Sequence, residues 1–233
     1  MIRVTVLAVA AVASSLAASG GFADVIAGWT INTALPTGTD VPMQPSYVYG
    51  AAEEGVLAGS ASTSLFGVHA NEITTWTSPA GNGSPRSFSS NRWAIGDYYQ
   101  VDLSTSGFTA ISLSWDQARS STGPQFFDLL YSLDGGGTWT TALVGYEVLQ
   151  SGGGSAPGTW NSTTYNPIYT SSFSFGAELD DQATVSIRFQ AAVAPGGESG
   201  SNRLDNIFIE GVPSPGAVAL LAMAGLAGRR RRR

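Results

Sequence analysis

The chain has 233 residues, 43% hydrophobic and 12% charged, with twenty-nine glycines, eleven prolines and no cysteine. Missing cysteines exclude a disulfide framework, thiolate catalysis and Cys-ligated zinc; every basic side chain is an arginine, which excludes Schiff-base and Ser–Lys mechanisms. Between Asp24 and Glu210 five arginines meet seventeen acids, a net of −12, and a stretch so acidic repels phosphates, so no nucleic-acid partner is expected.

Residues 1–23 are laid out as a secretory signal. Arg3 gives a positive start, Val4 to Leu16 are almost unbroken apolar, and small residues lead to Gly21-Phe22-Ala23. Small side chains at the first and third of those positions fit narrow peptidase subsites. Signal peptidase is therefore expected to cut after Ala23, leaving Asp24 as the mature N-terminus. Residues 24–211 are one domain's worth of chain, long enough to bury a core. Abundant glycine, proline and hydroxyl residues suit an all-β fold with many turns, and six Trp, ten Phe and eight Tyr argue against disorder.

Alternation of apolar and polar residues predicts strands near 25–32, 64–70, 72–77, 92–95, 97–103, 108–116, 125–133, 138–148, 171–176, 184–192 and 204–211. The pattern is plainest at Ile111, Leu113 and Trp115, at Phe127, Leu129 and Tyr131, and at Val185, Ile187 and Phe189. Glycine clusters around 81–83, 135–137, 152–154 and 196–197 separate the runs. No useful helical period and no internal repeat interrupt them. Two facing antiparallel sheets sharing one core are expected, a jelly-roll-like β-sandwich flanked by an N-terminal signal helix and a C-terminal hydrophobic helix.

The run from Gly96-Asp97-Tyr98-Tyr99 through Ser112-Leu113-Ser114-Trp115-Asp116 to Ser132-Leu133-Asp134-Gly135-Gly136 resembles a β-sandwich domain common in secreted bacterial proteins. The resemblance covers residues 97–139 and implies fold and location without supplying a reaction. Ser132 to Trp139 also resembles the Asp-box of sialidases. Its physics is structural: the Asp134 carboxylate accepts turn N–H bonds, the glycines take positive φ, and Trp139 packs beneath.

Candidates for chemistry are few. The single histidine, His69, lies in a predicted strand without a nucleophile elbow, and reads as a packed or surface residue. Asp116, Asp128, Glu147 and Asp205 in or beside strands are the carboxylates from which a glycosidase pair would be drawn. Asp180-Asp181 and Asp205-Asn206 offer oxygens for a structural calcium, without EF-hand spacing; a solvated turn and a capped final strand are the simpler readings, and no other cofactor is expected. Sugar binding needs exposed aromatic planes beside polar side chains. Trp76, Trp93 and Trp160 have such neighbours, and Trp93 and Trp160 are the expected stacking residues; Trp29, Trp115 and Trp139 read as core.

The far end runs Val212-Pro213-Ser214-Pro215, then apolar from Gly216 to Gly228, then Arg229, Arg230, Arg231, Arg232 and Arg233. Thirteen residues as a helix reach roughly 20 Å, short of the roughly 30 Å hydrocarbon core, which makes a transient anchor. The arginines would stay cytoplasmic as a stop-transfer cluster. Residues 212–233 resemble the PEP-CTERM sorting tail of exported bacterial proteins, with Ser214 where that tail's motif has glutamate. The resemblance implies processing by a membrane-embedded exosortase and delivery to the cell surface or extracellular matrix. The expected protein is a non-enzymatic exported sandwich, structural or adhesive in exopolymer; a carbohydrate-binding module is the alternative, and a glycoside hydrolase is less favoured.

Overall fold

The computed structural model describes residues 22–214. Alternation becomes twelve strands: β1 (Asp24–Trp29), β2 (Ser46–Gly50), β3 (Ser64–Val68), β4 (Trp76–Thr77), β5 (Phe88–Ser90), β6 (Tyr98–Leu103), β7 (Phe108–Arg119), β8 (Phe126–Ser132), β9 (Thr140–Glu147), β10 (Thr170–Ser174), β11 (Val185–Ala191) and β12 (Asn202–Pro213). Two antiparallel sheets of six strands face each other. One runs β10-β7-β12-β5-β4 with β1 also on β12; the other runs β2-β3-β6-β11-β8-β9. The last eight strands form nested pairs: β5 with β12, β6 with β11, β7 with β10 and β8 with β9.

Period-two geometry sorts each strand into an inner and an outer set. Across the second sheet, Tyr47, Gly67, Tyr99, Phe189, Leu129 and Leu143 form one inward row. The neighbouring outward row is Val48, Phe66, Gln100, Arg188, Leu130 and Thr141. Between the sheets Trp29, Trp76, Trp115, Tyr99, Phe88, Phe127 and Phe189 are fully enclosed. Such a core is built largely of aromatic edges meeting aromatic faces, for example Trp115 against Tyr146 at 5.3 Å and 74°.

Several sequence expectations shift. The strand expected at 72–77 shrinks to two residues because Asn71 builds a turn: its Oδ1 accepts from Ile73 N–H, and its carbonyl accepts from Thr74. The strand expected at 92–95 is a loop that turns at Arg92 (φ 55°), and pairing occurs instead at β5. β2 was not foreseen. β12 continues past 211, with Val212 opposite Thr109, Pro213 opposite Phe108, and Ser214 N–H donating to the Gly107 carbonyl. The sandwich therefore includes the first three residues of the expected sorting motif. Pro215, the apolar run and Arg229–Arg233 lie outside the described residues, as do residues 1–21 of the expected signal; Ala23 is exposed, and Asp24 opens β1. Among the described residues no helix is long and apolar enough to cross a membrane.

The Asp-box turn forms as its residues dictate. Asp134 Oδ1 accepts from Thr138 N–H at 2.9 Å and from Ser132 Oγ at 2.7 Å, while Gly135 and Gly136 take φ of 70° and 95°. The Ser132 hydroxyl and then the Thr138 amide hold the Asp134 carboxyl well below its usual range. Trp139 does not join the core. Its half-exposed ring lies 3.8 Å from the Arg188 guanidinium, whose other face rests on Tyr98 at 3.7 Å, since two rings that close cannot share one face. Asp134→Ala should leave global unfolding almost unchanged yet raise hydrogen exchange at the Thr138 amide by about tenfold or more; unaltered exchange there would show the turn to be held by something else.

Candidate binding site on the outer face of the first sheet

Outward positions of β7, β10 and β12 bring polar residues together where two loops cross the sheet. Asp116 stands opposite Thr170 on one side and Asp205 on the other, and Ser114 stands opposite Phe208. Register breaks between Asp205 and Phe208, and Asn206 takes φ of 45° there. This is a β-bulge at a residue type that tolerates the left-handed region. The bulge sends Asn206 outward beside Asp116 while Ile207 returns to the core.

The loop at 79–86 lays Asn82 over this pair. Asp116 Oδ2 accepts from Asn82 Nδ2 at 3.0 Å and from Asn206 Nδ2 at 2.8 Å, and its Oδ1 accepts from the Thr170 hydroxyl. Because Thr170 donates there, the Tyr165 hydroxyl donates to Thr170, at 2.6 Å. Asp205 Oδ2 accepts from Asn82 N–H at 2.8 Å and from Ser84 Oγ at 2.6 Å, but its buried Oδ1 has no partner. Burial pushes the Asp205 carboxyl up to about 7 against those hydrogen bonds, and burial raises Asp116 too, opposed by Asn206, Thr170 and Asn82.

Above the network lies a hollow of about 360 Å³. Tyr165 and Phe208 form its apolar walls; Ser114, Asp116, Thr170 and Asn206 are polar, with Asn82 and Gly83 at the rim. Phe208 keeps its position because Gly28 has no Cβ, which would stand 2.8 Å from the ring. The carboxylate fixes both asparagine amides, yet Ser114 Oγ and Asn206 Oδ1 make no hydrogen bond among the described residues and stay free for a ligand. Aromatic walls with fixed, unsatisfied hydroxyl and amide groups suit a neutral polyhydroxylated ligand.

The tryptophans expected to stack on sugar do not make this site. Trp93 is 4% exposed, donates from Nε1 to the Ser90 carbonyl, and packs between His69, Tyr99 and Phe127, so it offers no face to solvent. Trp76 is likewise enclosed. Trp160 is half-buried, donates to the Ala80 carbonyl at 2.7 Å and meets Tyr169 edge-on at 5.3 Å, which ties the loop before β10 to the loop at 79–86. It braces the hollow and does not line it. Tyr165, Phe208, Ser114 and Asn82 were missed; the local signals were the strand carboxylate Asp116 and the acid–amide pair Asp205-Asn206.

Other candidates are placed elsewhere. Asp128 and Glu147 sit on the second sheet, where Asp128 accepts from Gly145 N–H and Glu147 from Gln125. Asp180 and Asp181 cap the strand start, accepting from Ala110 and Gly107 amides. Among the described residues no three His, Cys, Asp or Glu side chains are grouped to hold a metal ion. Of the two places the sequence left open for His69, core and surface, the structure puts it in the core, with unforeseen neighbours: Ser90 Oγ lies 3.1 Å from Nε2, and Asp97 Oδ2 lies 3.3 Å from Nδ1 without hydrogen-bond geometry. Order and spacing imitate a nucleophile, base and orienting acid. Ser90, His69 and Asp97 are all under 5% exposed, and Ser90 Oγ also bonds the Tyr99 hydroxyl inside the core, so no substrate reaches them in this conformation.

Neither a protein-family model nor a curated protein matches the chain. Solved structures that resemble it include a cleaved adhesin domain of Lys-gingipain from Porphyromonas gingivalis, at 12% identity and TM-score 0.42, covering 81% of this chain and 98% of that one. The CBM22-1 xylan-binding domain from Paenibacillus barcinonensis matches at 9% identity and TM-score 0.41, covering 85% and 99%. A Clostridium thermocellum xylanase fragment containing CBM22-1 and GH10 modules matches at 13% and 0.38, covering 81% and 28%. These are likenesses between β-sandwiches, too distant to carry a ligand across.

Proposed function

We propose that the sandwich is a non-catalytic carbohydrate-binding domain through which an exported protein attaches to surface or matrix polysaccharide. The supporting observation is the hollow walled by Tyr165 and Phe208, where Asp116 fixes two asparagines and leaves Ser114 Oγ and Asn206 Oδ1 unengaged. Enclosure of Asp205 and full engagement of Asp116 favour binding over glycoside hydrolysis, because both Asp116 oxygens already accept hydrogen bonds and the unpartnered Asp205 Oδ1 is buried out of reach of a glycosidic bond. Nested pairing of β5–β12, β6–β11, β7–β10 and β8–β9 is the pairing an eight-stranded jelly roll would make. The export route belongs to the same proposal. Signal peptidase would cut at exposed Ala23 without removing any strand residue, and an exosortase-like enzyme would act on the tail, which anchors only transiently in the membrane. Since Val212 and Pro213 are paired in β12, such an enzyme would have to work beyond Ser214.

Affinity electrophoresis against a panel of neutral polysaccharides tests the binding reading. Tyr165→Ala and Asn206→Ala should each weaken the best binder by about tenfold or more, while Trp93→Phe leaves affinity alone. Failure of the folded wild type to be retarded by any polysaccharide, or equal retardation of all variants, defeats it.

A further inference from the structure

A second hollow on the same outer face, about 240 Å³, lies toward the β4–β5 edge. Hydroxyl groups dominate its lining: Ser89, Ser201, Thr75 and Thr77, with Asn91 and Arg203. Arg203 stands opposite Ser89 and Ala118 on neighbouring strands, so its side chain leaves the sheet on the outer side, in the middle of three strands. The guanidinium makes no hydrogen bond among the described residues, and its Nε is buried without a partner. The ion pair among those residues is Arg92 with Glu198, and Arg203 takes no part in it. Asp205, two positions along, is occupied by Asn82 and Ser84.

Taking part of a cation out of water without a counter-charge or acceptor is unfavourable. Burial accordingly lowers the Arg203 proton affinity from its usual value. In a domain so rich in acids, an arginine kept clear of every carboxylate leaves its planar fork open to an outside one. Carboxylate and sulfate match that fork in two-point geometry, and the Thr75, Thr77 and Ser201 hydroxyls supply further donors, whereas the Ser89 hydroxyl is committed to the Asn202 carbonyl.

We propose that the Arg203 hollow is an oxyanion site that takes the carboxylate or sulfate of an acidic sugar residue. It does not rest on the Tyr165–Phe208 hollow, and the two can fail separately. Thermal unfolding of the purified chain should be followed with oligogalacturonate, with a sulfated galactose oligomer and with neutral galacto-oligosaccharide. One acidic oligomer, at about a hundredfold over its dissociation constant, should raise Tm by about 5 °C or more, and the neutral one should not. Which of the two does so identifies the group. Arg203→Gln should abolish the shift while raising the ligand-free Tm, because an unpaired, half-buried charge has gone; Arg203→Lys should weaken it at least tenfold. Tyr165→Ala should leave it intact. Equal shifts with acidic and neutral oligomers, no shift with either acid, or a shift that survives Arg203→Gln would overturn the assignment.

Discussion

Trp76→Ala should destabilise the sandwich by about 4 kcal/mol, near the middle of what large aromatic truncations cost. The ring is wholly enclosed and packs against four others: Phe88 at 5.3 Å, His69 at 4.9 Å, Tyr47 at 6.3 Å and Tyr99 at 6.4 Å. Its Nε1 donates to the Gln44 carbonyl at 2.8 Å, so truncation removes a hydrogen bond as well as contact. A domain stabilised by only about 5–15 kcal/mol loses much of its reserve in one step. Gly67 provides the means of proving that the ring fits closely. A Cβ there would stand 2.4 Å from Trp76 Cη2 and 2.5 Å from Cζ3, in a strand with ordinary φ, so glycine is needed for space alone. Gly67→Ala should cost about 1–3 kcal/mol in the native background. Combined with Trp76→Phe, whose smaller ring vacates that volume, it should cost clearly less than the two changes added. Urea unfolding followed by near-ultraviolet circular dichroism measures all four proteins. Strict additivity would mean that the methyl group and the indole do not compete.

Why the strands could be read and the site could not follows from the range of the interactions involved. A strand declares itself through neighbours two residues apart, so Ile111, Leu113 and Trp115 reveal β7, and Val185, Ile187 and Phe189 reveal β11, with no knowledge of partners. Trp93 shows where local reading fails. Its polar neighbours suggested exposure, but the Arg92 turn folds the indole back under Ser90, and a contact 34 residues away at Phe127 covers it. The hollow is harder still. Asn82, Asp116, Thr170 and Asn206 come from four segments joined by hydrogen bonds spanning 34 to 90 residues. Asp116 and the Asp205-Asn206 pair carried local signs, the first as one of four strand carboxylates and the second as oxygens for a cation or the cap of a final strand, and neither sign pointed to the other. Ser90, His69 and Asp97 teach the converse: a catalytic arrangement of side chains can assemble in a core, and enclosure decides what it can do.

Unfolding free energy should fall only gently as pH rises from about 4 to 6.5, because the buried His69 opposes the buried acids led by Asp205 there. Asp205 moves from 3.8 to about 7 on folding, mainly through burial. The folded state therefore holds the proton more tightly, and stability present below pH 4 is lost as pH rises through 7, by about 4 kcal/mol. His69 moves the other way, from 6.5 to about 4, again mainly through burial, with backbone contacts at Arg92 and Asn91 pulling back. Its contribution is intact above pH 6.5 and is lost as pH falls through 4, by about 3 kcal/mol. Asp97 and Asp116 are raised by burial and reinforce the Asp205 trend. Asp205→Asn should thus uncover a profile that climbs from pH 4 to 6.5 or flattens toward it, and His69→Gln one that descends steadily from pH 4 to 7.5. Urea midpoints at half-unit intervals would show the two variants departing from wild type in opposite senses. Parallel profiles for the three proteins would place the titrating groups elsewhere, and would remove the reason for regarding Asp205 as a carboxyl that burial keeps protonated well above its usual range.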